Sequence, residues 1–240
     1  QKQRVAIAGV IAMRPDCLFA GKGIPREKLL PYGIPVKPAF SKPGKKPVAR
    51  AICRIPEDAK VYLIMSGSMG FGKVNLLVAQ LLTKLAPDEY IIVICGNNQR
   101  LRKIMHTAFG RHPQIRILGY TEHISAYMGA CDVIFTKPGG LTSTEAAVKG
   151  IPIIHTKPIP GCEEKNLAFF TGHGMSVTGR NLSELIRCGQ SLLHDRERQD
   201  EIRRNQRETL PKDAAANIWR FLRKLTGEAV SPDLPPDARS

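Results

Sequence analysis

Lys137-Pro-Gly-Gly-Leu-Thr-Ser-Thr-Glu145, followed by Gly150-Ile-Pro152 and Pro158-Ile-Pro-Gly-Cys-Glu-Glu-Lys-Asn166, carries the densest chemistry in this 240-residue chain. It reads as strand end, glycine turn, helix start, strand and proline-rich loop. A glycine turn into a helix aims free backbone N–H groups at one point, which suits a diphosphate, and Glu145 sits one turn further on, where a carboxylate can accept from ribose hydroxyls. The pattern therefore points to a nucleotide-sugar site. A second glycine break, Gly67-Ser68-Met69-Gly70, follows the apolar run Val61–Met65 and precedes a helical stretch. It either lets backbone approach a phosphate or sugar closely or is a plain β-to-α turn. It lacks a Gly-Lys-Ser/Thr ending, so a P-loop is disfavoured.

Each of these residues has a competing structural reading. Thr142-x-x-Glu145 matches a helix capping box, with Thr142 as the cap and Glu145 reaching back to its N–H. The residues alone leave Glu145 open between that role and ribose binding. Lys137 and Lys37 either neutralise phosphate charge or are solvated lysines. His155 ends a buried apolar run and reads as a satisfied core histidine. The remaining histidines show no metal-ligand spacing, and the sequence predicts no metal site. Glu163 and Glu164 are adjacent, and neighbouring loop residues rarely face one reacting centre, which argues against a glycosidase pair.

The elements that must position these groups alternate regularly from residue 60. Val61–Met65, Tyr90–Cys95, Ile115–Leu118, Val133–Thr136, Ile151–His155 and Met175–Val177 read as short buried strands. Val74–Leu85, Leu101–Phe109, Ile124–Cys131, Thr142–Lys149, Leu182–Leu193, Asp195–Arg207 and Ala214–Leu225 read as helices. Continuous apolar strands alternating with helices predict an α/β fold, a Rossmann-like doubly wound parallel sheet covered on both faces. Its glycine breaks fall at the carboxyl ends of strands, where such sheets bind ligands. The highly charged Asp195–Arg207 reads as a solvated helix face. Residues 1–40 read as a lead-in and 41–226 as the sugar-nucleotide domain. Ser41–Pro47 reads as a solvated linker, and 227–240 as a disordered tail.

Composition narrows the partners. Hydrophobic content of 42% and charged content of 24% are ordinary for a globular chain, but the net charge of +15 is not. Such a balance favours anionic partners, either phosphorylated substrates or an anionic membrane surface. Nucleic acid is disfavoured, because aromatics are only 6% and do not interleave with the basic residues. Six widely spaced cysteines without a C-x-x-C pair fit a reducing cytoplasm. Val5–Met13 is apolar behind Lys2 and Arg4, but no small-residue cleavage site follows it. The chain starts with Gln1 rather than Met, so an upstream portion is expected.

Taken together, Lys137-Pro-Gly-Gly-Leu-Thr-x-x-Glu145, Gly150-Ile-Pro152 and Pro158-x-Pro-Gly-Cys-Glu-x-x-Asn166-x-x-Phe-Phe170 resemble the donor domain of processive diacylglycerol glucosyltransferases, bacterial relatives of monogalactosyldiacylglycerol synthase. Gly33-Ile-Pro-Val-Lys-Pro-x-Phe40, Gly67-Ser-Met-Gly70 and Gly119-Tyr-Thr121 extend the resemblance over residues 20–225. It implies the C-terminal donor half of a two-Rossmann-domain (GT-B) glycosyltransferase, inverting and metal-independent. Such an enzyme moves a hexose from a UDP-sugar, a substrate rather than a cofactor, to a diacylglycerol-type lipid, at the cytoplasmic surface of the cell membrane.

By that likeness Gly67, Ser68, Met69 and Gly70 line the donor cleft, and Tyr120 and Thr121 lie by the uracil. Gly139, Gly140, Leu141 and Thr142 meet the diphosphate, with Lys137 and Lys37 as cations nearby. Glu145 holds the ribose, and Pro160, Gly161, Cys162, Glu163 and Asn166 flank the donor sugar. Relatives often carry Gln where Cys162 stands, which leaves the donor sugar open between glucose, galactose and GlcNAc. The acceptor site and general base belong to the family's N-terminal domain, for which residues 1–40 are too short, so a missing domain or partner chain is expected. Lys42, Lys45 and Lys46 offer a contact patch for an anionic leaflet, and exposed apolar surface around Trp219 and Phe221 would face the other domain. The alternatives are a non-catalytic UDP-sugar-binding subunit, the lipid I GlcNAc transferase and, more distantly, a UDP-sugar epimerase.

Overall fold

Val61, Tyr62, Leu63 and Ile64 are all fully buried, although successive strand residues point to opposite faces. A strand that is apolar on both faces must be covered on both, and the chain supplies helices to do so. The computed structural model describes residues 30–42, 44–65, 74–211 and 213–226. Among them are six strands: β1 (Lys60–Met65), β2 (Glu89–Ile94), β3 (Ile115–Leu118), β4 (Val133–Thr136), β5 (Ile153–His155) and β6 (Ser176–Thr178). They form one sheet in the order β3-β2-β1-β4-β5-β6, with every neighbouring pair parallel.

Ten helices join them among the described residues: α1 (Pro38–Ser41), α2 (Lys46–Cys53), α3 (Val74–Leu82), α4 (Gln99–Phe109), α5 (Ile124–Ala130), α6 (Gly140–Val148), α7 (Cys162–Gly172), α8 (Leu182–His194), α9 (Arg196–Thr209) and α10 (Ala214–Thr226). One face of the sheet packs Tyr62, Ile64, Val93 and Phe135 against Leu77 and Leu81 of α3, Met105 of α4 and Leu192 of α8. The other packs Val61, Leu63, Ile92 and Ile134 against Met128 of α5, Ala146 and Ala147 of α6 and Phe170 of α7. This is the doubly wound Rossmann-like arrangement expected, and the sheet order reverses between β1 and β4.

Several features differ from the sequence reading. Ser41–Pro47 is not simply a linker, because Lys46 and Pro47 begin α2. Lys46 Nζ contacts Asp132 Oδ1, and buried Arg50 donates to Asp132 Oδ2 at 3.0 Å and to the Ala130 carbonyl at 3.2 Å. Lys46 therefore belongs to a structural ion pair, and of the expected lysine patch only Lys42 and Lys45 are exposed. Helix α9 is not merely solvated. Gln199 donates to the Leu192 and Leu193 carbonyls, Gln206 to those of Ile151 and Met175, and Ile202 is fully buried. Cys162–Gly172 is a helix where a proline-rich loop was expected to run on.

The surface expected around Phe221 is also partly covered. Phe221 packs on Tyr32 with ring centroids 5.8 Å apart, and the Arg223 guanidinium lies 6.0 Å from the Trp219 ring centre. Next to Tyr32, Gly33 takes φ +87°, and a Cβ there would meet Pro211 and Ala214 at 3.2–3.3 Å. Only glycine fits this crossing of residues 30–37 over the start of α10. No helix among the described residues is long and apolar enough to cross a membrane.

Candidate functional site

The reversal of strand order opens a crevice at the carboxyl end of the sheet. Met65 at the end of β1 pairs with Thr136 at the end of β4, so the two expected glycine breaks leave from neighbouring strands. Gly67, Ser68, Met69 and Gly70 themselves lie outside the described residues. After Thr136 the chain turns through Lys137, Pro138 and Gly139 into α6. Gly139 is the N-cap, extended at φ −78°, ψ 150°, and has no side chain to offer. The first intrahelical bond recorded at this end is Ser143 N–H to the Gly139 carbonyl, at 3.3 Å. The N–H groups of Gly140, Leu141 and Thr142 belong to the first turn, where no helical carbonyl can receive them. They carry the positive end of the helix dipole and suit an anion.

The helix start corrects the capping-box reading. Because α6 begins at Gly140, Thr142 is the third helical residue rather than the cap, and Glu145 lies a full turn too far along to reach the N-cap N–H. The turn is instead fixed from outside. Asn166, buried in α7, donates its amide to the Pro138 carbonyl at 3.0 Å, and Thr144 Oγ1 donates to the Gly140 carbonyl at 2.8 Å. Ser143 Oγ lies 3.0 Å from His155 Nε2, while His155 Nδ1 lies 2.9 Å from Ser176 Oγ.

His155 is thus the satisfied core histidine expected, completely buried at the end of β5 and edge-on to Phe170. Burial pushes its imidazole down to about 3. The fold holds it neutral, whereas an unfolded chain protonates it near pH 6.5. Its stabilisation is complete above about pH 6.5 and is lost as the pH falls from there toward 3. Unfolding free energy is expected to drop by about 1 kcal/mol more between pH 6 and pH 5 in the native chain than in His155→Gln, as read by denaturant titration at the two pH values. Equal slopes would show that His155 does not carry this acid sensitivity.

Glu145 projects from α6 with a half-buried side chain, and no hydrogen bond among the described residues involves its carboxylate. Burial raises its carboxyl, and the positive charge of Lys37 draws it back. Lys37, the residue before α1, therefore lies within electrostatic reach of Glu145 on a segment that packs against α6.

Across the turn, Lys137 Nζ meets Glu163 Oε1 at 2.6 Å. The second oxygen of Glu163 accepts from Ile159 N–H at 2.9 Å, and Glu164 turns away to accept from Gly161 N–H at 3.0 Å. The two carboxylates diverge, as expected. Gly161, the N-cap of α7, takes φ +106°, between exposed Pro160 and exposed Cys162, the first residue of the helix. A residue with a side chain would be strained at that φ.

The structure therefore groups Lys37, Lys137, Gly139–Thr142, Glu145, Pro160–Glu163 and Asn166. Tyr120 and Thr121 share the carboxyl edge of the sheet but follow β3, three strand spacings or about 14 Å from β4. Tyr120 is largely exposed, and Thr121 Oγ1 accepts from His123 N–H at 3.1 Å. The sequence reading missed Ser143 and His155 as supports of the turn. Their signal is weak, because a serine in a helix and a histidine ending a strand are individually unremarkable. A polar cavity of about 230 Å³ lies at the opposite, amino end of β4 and β5. Three of its cations are already engaged: Lys46 by Asp132, Lys149 by the Ala39 carbonyl and Ser125, and Arg203 by the Gly150 carbonyl, Gln199 and Asp200.

A six-stranded parallel sheet with a glycine-initiated helix and a carboxylate at its switch point defines a Rossmann-like domain. The profile described as glycosyl transferases group 1 matches residues 48–209, and the chain belongs to that family. It is 34% identical over 175 residues to the processive diacylglycerol beta-glucosyltransferase of Bacillus licheniformis, covering 72% of this chain and 45% of the relative. It is 33% identical over 188 residues to the Bacillus pumilus protein of the same name, covering 78% and 49%. The chain thus spans about half the length of these curated relatives.

Among solved structures, the S. aureus MnaA–UDP co-structure aligns with a TM-score of 0.66 at 14% identity, over 92% of this chain and 61% of the other. Anabaena HepE in complex with UDP and glucose aligns at 0.62 and 16%, over 87% and 59%. Acinetobacter baumannii MurG aligns at 0.61 and 20%, over 76% and 54%. At these identities the likeness establishes the fold.

Proposed function

We propose that this chain is the donor-binding half of a hexosyltransferase that takes a UDP-hexose and delivers the sugar to a diacylglycerol-type lipid. The observation that carries the reading is Glu145. It is a half-buried carboxylate one turn beyond free helix N–H groups and hydrogen-bonded to no described residue, and the helix start rules out the capping role that would otherwise account for it. A diphosphate on the N–H groups of Gly140, Leu141 and Thr142 places its ribose toward Glu145. Lys37 and Lys137 add positive charge beside the departing UDP. Helix-terminal N–H groups and cations together can stabilise leaving-group charge, which supports metal-independent transfer.

Inversion at the anomeric carbon requires a general base and an acceptor site facing this crevice, and these are assigned to a further domain or partner chain. The names of the Bacillus relatives support the lipid acceptor, and the UDP bound in two proteins of the same fold supports the donor nucleotide. The lipid I GlcNAc transferase reading has less support, since the similarity to MurG is one of fold at 20% identity. The net charge of +15 favours work against an anionic membrane surface, from the cytoplasmic side.

Calorimetric titration of this chain with UDP, UDP-glucose, UDP-galactose and UDP-GlcNAc, without added metal, tests the reading. Binding of UDP and of at least one UDP-hexose is expected. A folded sample that binds none of them, with or without magnesium, overturns it. A clear preference for UDP-GlcNAc moves the assignment to the peptidoglycan branch.

A further inference from the structure

Lys137 leaves the end of β4, and Glu163 sits in the first turn of α7 on the far side of the loop 157–161. Their charged atoms are 2.6 Å apart, with the side chains only 18% and 13% exposed. Lys137 is also tied to the glycine turn, since its carbonyl accepts from Gly139 N–H at 2.7 Å and its Cε lies 3.9 Å from where a Gly139 Cβ would be. The ammonium therefore lies beside the start of α6 while its charge is engaged by the loop. Glu163 is the hinge pin of that loop as well, because its other oxygen holds Ile159 N–H.

We propose that the Lys137–Glu163 pair makes this site select an intact nucleoside-diphosphate sugar over the free nucleoside diphosphate. The inference rests on the donor-site reading above. A ligand offering only a diphosphate must draw Lys137 away and leave a mostly buried carboxylate without its counter-charge, an expensive state. A ligand that also brings a hexose presents hydroxyl donors to Glu163. Charged acceptors make the stronger hydrogen bonds, so the carboxylate stays satisfied while Lys137 turns to the diphosphate. Once the hexose has been transferred its hydroxyls leave, Glu163 reclaims Lys137, and the spent nucleotide loses a cation. The pair thereby couples the presence of the sugar to the grip on the phosphates and favours product release.

The test uses this chain, Glu163→Gln and Lys137→Met, titrated with UDP and with whichever of UDP-glucose, UDP-galactose and UDP-GlcNAc binds best. Glutamine keeps an oxygen for Ile159 N–H and removes the charge that restrains Lys137. Glu163→Gln is expected to bind UDP about three- to tenfold more tightly than the native chain, a fraction of what breaking a mostly buried ion pair costs. Its preference for the UDP-hexose over UDP should shrink at the same time. Lys137→Met should weaken both ligands.

The proposal is overturned if Glu163→Gln binds UDP no more tightly than the native chain, or if the native chain binds UDP as tightly as its best UDP-hexose. The second comparison needs no variant, so a variant that fails to fold leaves the test standing. A native chain that binds neither ligand rejects the donor-site reading itself, a distinct result that removes this inference with it.

Discussion

Glu145→Ala is expected to weaken UDP binding by about 1–3 kcal/mol, or roughly 5- to 150-fold, while leaving the fold intact. The two effects separate because of where the residue sits. Glu145 is the sixth residue of α6, no described residue hydrogen-bonds its carboxylate, and burial already disfavours its charge. Alanine is the better helix former, so the helix loses nothing by the exchange. Thermal unfolding of the variant should match or slightly exceed the native value, while calorimetry with UDP reports the loss. Native affinity in a folded Glu145→Ala would remove the ribose role. A companion pH series sharpens the assignment. The carboxyl is raised by burial, so UDP affinity that depends on the carboxylate should begin to fall at a higher pH than for an ordinary glutamate, and the variant should lack that step.

Asp132→Ala is expected to cost about 3–5 kcal/mol of stability without touching the nucleotide site. Asp132 precedes β4 at the end of the sheet opposite the glycine turn. One oxygen meets Lys46, and the other accepts from Arg50 Nη2 at 3.0 Å and from Val61 N–H at 2.7 Å. Arg50 is 7% exposed and also donates to the Ala130 and Glu57 carbonyls, so it cannot follow its charge into solvent. Removing the carboxylate strands a buried guanidinium and orphans a strand N–H, while α2 loses its tie to the sheet. Chemical denaturation checks the magnitude. Asp132→Asn, which keeps an acceptor for Val61 N–H, should fall between the two. A loss under about 1 kcal/mol for Asp132→Ala would mean that α2 is held by its packing on α5 rather than by this ion cluster.

Most of the architecture was legible because its signal is local. The buried strands are short apolar runs, and Ile115–Leu118 and Val133–Thr136 match their expected bounds. The amphipathic helices carry apolar residues at helical spacing, and glycine or proline marks most of the turns between them. What was not legible came from polar residues doing interior work. Gln199 and Gln206 read as part of a solvated face, yet they close open carbonyls in the core. Lys46 read as part of a surface contact patch, yet with Arg50 it pairs with an aspartate more than eighty positions away in the sequence. Helix α7 was hidden by Pro158, Pro160 and Gly161, which serve as its approach rather than interrupt it.

The sequence by itself determined the class of sheet, the placing of glycine turns at strand ends, and the residue types available to a nucleotide sugar. These follow from periodicity and from backbone preferences that neighbouring residues cannot hide. Only the tertiary structure decided what those residues are free to do. It brought the ends of β1 and β4 together, since strand order is a long-range choice. It started α6 two residues earlier than Thr142, with Ser143 held by His155 and Pro138 held by Asn166, and so released Glu145 from a capping role. It also set Lys137 against Glu163, across a loop whose course depends on where α7 packs. Pairing between charges distant in sequence is fixed by the packing of the elements that carry them, and that packing is a property of the whole fold.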